Sequence, residues 1–375
     1  MRKLASVQTI SQISPIPTAD HVVMAMVLGY ETVVKKTDFK VGDQCVYIEC
    51  DSLCPERPEF AFLESVRYRI KIRRFKGQYS YGLVMPTSIL PKGVYNEGAD
   101  VTEFLGIKNY VKIREDAEEL ENVQTITTKS RSPVLRFLMK NSTFRKVYLK
   151  LNRVDKGNWP EWISKTDEER LQNCTSVLIN HFDEPWYITE KEDGSSTTLF
   201  KHKTLSWGFN KYVFGVCSRN VWLKSPDNSE FWKIVKSNNL EKKFKTLLGK
   251  NEIVLQGECL SPKIQGNKYK LTEPDIYIFN YVINGVRQSL DSLKDMCYTL
   301  KLKPVPILST SFIPSEHMKS KDVKDVMHYM LEMSRGKSKL YDTDREGIVC
   351  RLCSNPHISF KVINPDFMMK EVDKT

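Results

Sequence analysis

Over the first 110 residues the apolar positions come in short alternating bursts: HVVMAMV at 21–27, YETVV at 30–34, QCVYIE at 44–49, RYRIKIR at 67–73 and YGLVMP at 81–86. Turn clusters separate them, among them KVGD, RFKGQ and PKG, so the pattern predicts about five short strands and a small all-β barrel. RYRIKIR has a period of two. As a strand it puts Arg67, Arg69, Lys71 and Arg73 on one face and Tyr68, Ile70 and Ile72 toward the core. Four like charges on one strand face repel each other, and Arg74 and Lys76 follow, so this face is expected to track phosphates rather than only to protect an edge.

From 111 to 164 the pattern is mixed: acidic REDAEELE, polar TITTKSRS, then basic amphipathic LRFLMKNSTFRKVYLKLN. This stretch is expected to be a linker and lead-in. From 165 onward helical and strand periods mix, which predicts an α+β domain over 165–375. Thr166 and Glu169 have capping-box spacing and predict a helix start; further helices are expected over 229–248 and 315–333. In the last, Val323, Val326, Met327, Met330 and Leu331 recur at helical spacing, as core packing does. Strands are expected at VLIN, TTLF, IVLQGE, IYIFNYVI, GIVCRL and ISFKVI. Asp193-Gly194, inside TEKEDGSSTT at 189–198, reads as a two-residue hairpin turn.

With 41% hydrophobic and 27% charged residues the chain is composed like a globular protein, not a disordered one. Its longest apolar run near the start has seven residues, too short to span a bilayer, so an intracellular, cytoplasmic or nuclear protein with no membrane partner is expected. Nine scattered cysteines suit reduced core thiols better than a disulfide framework, and Cys350-x-x-Cys353 has no second pair to complete a zinc site. A net charge of +11 points to a polyanionic partner.

The lysine in TEKEDG changes the picture. Lys191-x-Asp193-Gly194 is too short a pattern to decide anything, but it is followed in order by Ser218-Arg219-Asn220, Gln256-Gly257-Glu258 with IQGNKY, Tyr277-Ile-Phe279, Arg345-Glu346-Gly347 and Ser359-Phe-Lys361. This set resembles the nucleotidyl-transfer motifs of the covalent nucleotidyltransferases. It is most similar to nick-sealing ATP-dependent RNA ligases with an N-terminal OB domain. KTDEERLQN at 165–173 resembles a block those ligases carry ahead of the lysine, and RYRIKIRRFKGQYSYGL looks like part of their OB domain.

The resemblance implies an OB barrel at 1–110, a linker at 111–164 and a ligase-type (ATP-grasp-like) adenylation domain at 165–375. It makes Lys191 the nucleophile. Asp193 and Glu346 hold Mg²⁺, for which Mn²⁺ can substitute, largely through its waters. Glu258 accepts from a ribose hydroxyl, Phe279 stacks on adenine, and Glu190 reads its amino group. Lys361 meets the α-phosphate, Arg170 the leaving phosphates, and Arg219 nucleotide or RNA. The attacking amine must be uncharged, and Lys361, Arg170, Arg219 and Mg²⁺ are expected to favour that form of Lys191.

The chain departs from the pattern twice. Glu192 fills a position usually apolar in the close relatives; in an extended chain it points away from Lys191, whereas pointing inward it would repel the triphosphate and raise the lysine pKa. A second lysine is missing beside Lys361, which leaves Lys370 as its candidate. The implied enzyme is a monomer that joins RNA with 3′-hydroxyl and 5′-phosphate ends, at nicks in a duplex. Its rivals are a capping guanylyltransferase, which would need GTP and a barrel behind Lys361 where the tail is short, and a non-catalytic RNA-binding protein on a degenerate scaffold.

Overall fold

The structure, a computed structural model, describes residues 3–17, 19–110, 113, 156–206, 209–224, 229–246 and 251–373. The chain divides into two compact units, Met1–Arg153 with Met369–Thr375, and Val154–Met368. The expected linker falls mostly outside the described residues. Its last stretch forms the strand Lys156–Asn158, antiparallel to Val221–Leu223.

In the N-terminal unit, Ala5–Thr9, Gln44–Ile48 and Leu83–Pro86 form one antiparallel sheet, and Gln12–Pro15, Val22–Val27 and Tyr30–Lys35 another. Four of the five expected strands are therefore present. RYRIKIR is the correction. A 3-10 helix, Pro58–Val66, ends at Arg67, and Arg67 and Tyr68 both take left-handed backbone angles (φ 52° and 58°). This reversal breaks the two-residue period before it begins, and a strand starts only at Arg73. Ile70 and Ile72 still reach the core. Arg69 does too, only 6% exposed, with its guanidinium 3.2 Å from Asp51 Oδ1 and 3.9 Å from the centre of the Tyr110 ring. The charged face is thus Arg67 and Arg73, exposed, with Lys71 half-buried.

The second unit is built on two sheets. The larger runs Lys156–Asn158, Val221–Leu223, Phe209–Cys217, Ser195–Ser206, Ile253–Leu260, Asp275–Ile283 and Val286–Arg287, with Lys303–Pro304 parallel to Asp275–Ile283. The smaller is antiparallel: Ile307–Phe312, Trp186–Lys191, Gly347–Leu352 and Ser359–Ile363. One face of the large sheet, with Leu199, Val216, Leu255 and Cys259, is buried under the helices Glu230–Ser237, Leu240–Thr246 and Leu290–Leu300. The helix Val323–Ser334, N-capped by the Asp322 side chain, packs on the small sheet and buries Val326, Met327, Met330 and Leu331 as its period predicts.

Several elements differ from expectation. No helix starts at Thr166. Residues 165–170 lie extended beside Ser359–Ile363, where Lys361 N–H donates to Glu169 O at 2.8 Å, so tertiary strand pairing overrides a local capping signal. VLIN, too short for its period to discriminate, lies in the helix Thr175–Asn180. The helix expected over 229–248 breaks at Asn239, which is left-handed (φ 51°). Its neighbour expected over 315–333 begins only at Val323, after a short helix Pro314–His317.

Candidate active site

Lys191 ends a strand of the small sheet, paired with Gly347. Four residues later the chain enters the large sheet at Ser195, paired with Cys259. Asp193-Gly194 is therefore a crossing between two sheets and not a hairpin turn. The crossing is tight: a Cβ on Gly194 would lie 2.5 Å from both Cys259 O and Leu260 Cδ2, and only glycine lets the two backbones approach so closely. Its N–H donates to Glu258 Oε1 at 3.2 Å, which ties the lysine loop to the opposite sheet.

Three acids surround the lysine. Lys191 Nζ donates to Glu346 Oε2 at 2.7 Å, and Glu258 and Asp193 also act on it. Burial alone would pull the ammonium down, but Glu346, Glu258 and Asp193 outweigh it and hold Lys191 well above its ordinary value. Among the protein's own groups, acids rather than the expected cations dominate the surroundings of Lys191. Burial, then Glu346 and Asp193, push Glu258 up to about 8, against the pull of Lys191 and Arg219. Glu346 is raised as well, mainly by burial. Arg219 joins the cluster; burial lowers its pKa while Glu258 and Glu346 raise it.

Asp193 has two further partners in IQGNKY. Lys268 Nζ forms an ion pair with its Oδ2, and its backbone N–H donates to the Tyr269 hydroxyl at 2.9 Å. Lys268 also lies 4.4 Å from the centre of the Phe367 ring. Neither lysine nor tyrosine was singled out by spacing, although both sit in the quoted stretch.

Glu190 and Glu192 are both buried. Glu190 Oε2 accepts from Lys339 N–H at 2.9 Å, while its Oε1 has no hydrogen bond. Glu192 is 3% exposed, neither oxygen makes a well-formed hydrogen bond, and burial, then Glu190, push it up to about 8. The Tyr269 phenol, itself raised by burial and by Glu192, keeps its proton and is the donor that pulls Glu192 back. Phe279 is the extra residue of a bulge. Gln256 pairs with Asn280 but Gly257 with Ile278, which re-aims the ring beside Leu260, Tyr269 and Leu340.

Lys361 lies on Ser359–Ile363, level through Val349 with Thr189, two residues before Lys191. The extended 165–170 segment brings Asp167 to 2.5 Å from Lys361 Nζ and bridges Arg170 to the Lys361 backbone. The same segment pairs Glu168 with the buried Arg351 at 2.6 Å, and Arg351 lies 5.9 Å from the centre of Phe279. Burial would raise Glu168, but Arg351, a backbone hydrogen bond, Lys361 and Arg287 together outweigh it and hold the carboxyl below its usual range. Asp167, Glu168 and Arg351 were missed because their spacing carries no signal; only the fold brings them together. Lys191, Glu190, Asp193, Arg219, Glu258, Phe279, Glu346, Lys361 and Arg170 all belong to the second unit. Lys370 is exposed on Pro365–Asp373, in the stretch that groups with the N-terminal unit.

Among the described residues no three His, Cys, Asp or Glu are placed to cage a metal. The donor set nevertheless fits a hard divalent cation bound largely through water. Asp193 and Glu346 offer carboxylate oxygens around Lys191.

A strand-end lysine ringed by acids, with a bulge-borne phenylalanine on the facing sheet, fits the nucleotidyltransferase domain that the sequence resembles. Comparison with known proteins narrows this class. Residues 184–363 match a family model described as RNA ligase, and residues 4–87 one described as an OB-fold domain. Naegleria gruberi RNA ligase with pyrophosphate is 26% identical over 100% of both chains, at a TM-score of 0.77. A variant of that enzyme with ATP and manganese is 26% identical over 98% of this chain and 99% of that one (TM-score 0.77). Another, with AMP and manganese, has the same identity and coverage (TM-score 0.76). No curated protein sequence matches. Over residues 184–363 the chain is an RNA-ligase-type nucleotidyltransferase domain, preceded by an OB-fold domain.

Proposed function

We propose that this RNA ligase uses ATP and a divalent cation to seal 3′-hydroxyl/5′-phosphate breaks at nicks in duplex RNA. Lys191 Nζ attacks the α-phosphorus of ATP, a P–N bond forms and pyrophosphate leaves. The adenylyl group then passes to an RNA 5′-phosphate, and a 3′-hydroxyl attacks that phosphate to form the phosphodiester and release AMP. The observation that carries this is the Lys191–Glu346 contact at 2.7 Å inside the ring of Glu258 and Asp193.

The acids hold Lys191 protonated and in place until nucleotide arrives. Once their charge is taken up, burial, the largest influence on Lys191, favours the neutral amine. Magnesium, held by Asp193 and Glu346 with manganese able to substitute, supplies positive charge for the phosphorus oxygens when bound. Lys361 acts on the same oxygens, and Arg170 orients the departing phosphates. Phe279 stacks on adenine beside Glu190, whose Oε1 is left for the amino group. Glu258 binds a ribose hydroxyl, Arg219 nucleotide or RNA, and Lys370 is the candidate for a further phosphate contact. Arg67, Lys71 and Arg73 meet RNA phosphates, and Arg69 holds their loop through Asp51.

Incubation with α-labelled ATP should leave label on the wild-type chain and none on Lys191→Ala, and labelled GTP should leave none. Absence of label from ATP on the wild-type chain would overturn the proposal; label from GTP would indicate a capping-type enzyme.

A further inference from the structure

The face of the large sheet that carries Glu258 extends well beyond the lysine pocket. Ser196 pairs with Glu258, Thr198 with Gln256 and Phe200 with Val254, and alternate positions share a face. At about 3.3 Å per residue, Val254 lies roughly 13 Å from Glu258 along its strand. Phe200, Val254 and Cys217 form a small cluster on this face, with Trp159 and Trp222 packed against it. Trp162 lies on top. Its ring stacks on His202, with centroids 4.1 Å apart and planes at 17°, and meets Phe200 edge-on at 5.3 Å.

Trp162 remains 43% exposed. An isolated exposed tryptophan would need no explanation, but three of the chain's six tryptophans gather here, two of them under a cation. Lys165 sits 5.5 Å over Trp159, and Lys224 sits 5.9 Å over Trp222. The surface is continuous with the lysine pocket. Gln256 Nε2 donates to Ser164 O at 2.9 Å, and Lys165 donates to Asn220, next to Arg219, at 3.3 Å.

We propose that Trp162, backed by His202 and flanked by Trp159, Lys165, Trp222 and Lys224, is a stacking platform for an unpaired base in a single-stranded RNA segment flanking the duplex. Interleaved rings and cations are the chemistry that single-stranded RNA engages. Glu252 pairs with His202 at 2.7 Å, so the spot beside the ring repels phosphate and suits a base, while Lys165 and Lys224 suit the flanking phosphates. Backing by His202 fixes the ring before RNA arrives, which lowers the ordering cost of binding.

The proposal rests on the RNA-ligase reading, and its test separates the two. A labelled, single-stranded, 5′-phosphorylated oligoribonucleotide carrying 5-iodouridine is the probe, read by anisotropy and by photocrosslinking. Trp162→Ala should bind it about tenfold more weakly, in the range of one lost base stack. Trp162→Phe should stay within about threefold of wild type, since a smaller ring still stacks. Both variants should self-adenylate from ATP at the wild-type rate, and the wild-type crosslink should map to the peptide holding Trp162. Unchanged binding by Trp162→Ala, a crosslink that never reaches this peptide, or equal loss of self-adenylation would overturn the platform. A wild-type chain that takes no label from ATP yet crosslinks at Trp162 would sink the ligase reading and leave the platform standing.

Discussion

Glu192 departs from the pattern of the close relatives, and the structure buries it beside Glu190 and Tyr269. Its pKa of about 8 has a consequence for stability. The folded chain keeps a proton that the unfolded chain releases at the ordinary carboxylate pKa. The contribution is therefore complete below that value and is lost as pH rises through about 8. With metal chelated, wild-type Tm should fall between pH 5 and pH 8. Glu192→Gln should keep pH 5 stability and regain about 3 kcal/mol at pH 8, part of the decline remaining because Glu258 is shifted to a similar value. A decline in the variant as steep as in wild type would show that Glu192 is not its source.

At the scale of elements, the crossing from Trp186–Lys191 to Ser195–Ser206 positions the chemistry, because it brings an acid-bearing strand of one sheet against a lysine-bearing strand of the other. Gly194→Ala pushes a methyl into Cys259 O and Leu260. It should cost about 1–3 kcal/mol, seen as a fall in Tm, and slow self-adenylation by about 100-fold, the order expected when reacting groups shift by an ångström. Wild-type values for both would mean the crossing is looser than described. Val22–Val27, Tyr30–Lys35, Gln44–Ile48, Ile253–Leu260, Asp275–Ile283, Gly347–Leu352 and Ser359–Ile363 were legible from period alone, whereas Ala5–Thr9, Trp186–Lys191 and Phe209–Cys217 were not expected and RYRIKIR was misread. Its alternation put Ile70 and Ile72 correctly inside, but the left-handed pair Arg67 and Tyr68 cannot belong to a strand, and an alternating pattern carries no mark of such a reversal. The helix start at Thr166 failed for a complementary reason. Local capping propensity is weak beside pairing with Ser359–Ile363 and the Glu168–Arg351 and Asp167–Lys361 ion pairs.

For the whole molecule, a net charge of +11 divides into cations with different work. Arg67 and Arg73 are exposed and free to meet phosphate, while Arg69 is spent on Asp51 and Tyr110. Replacing Arg67 and Arg73 with alanine should weaken binding to nicked duplex RNA and reduce its log–log salt slope by about 1–2, with self-adenylation unaltered. Arg69→Ala should instead lower Tm, because it leaves Asp51 without its partner and opens the Tyr110 contact. If Arg69→Ala changed the salt slope and not Tm, the buried role assigned to it would be wrong.

In the sequence by itself the order Lys191, Asp193, Arg219, Glu258, Phe279, Glu346 and Lys361 was legible through its resemblance to the motifs of the covalent nucleotidyltransferases. The sequence also marked apolar core positions such as Ile70, Ile72, Val326 and Met330, though not the buried Arg69. Tertiary structure decided what that order could not carry. It set Lys191 among acids that raise its pKa, turned Asp193-Gly194 from a hairpin into a crossing, and used a bulge to aim Phe279. It also drew Glu168 to Arg351 and Trp162 onto His202 across long stretches of chain. Such contacts depend on which strands become neighbours in space, and no local period along the chain records that choice.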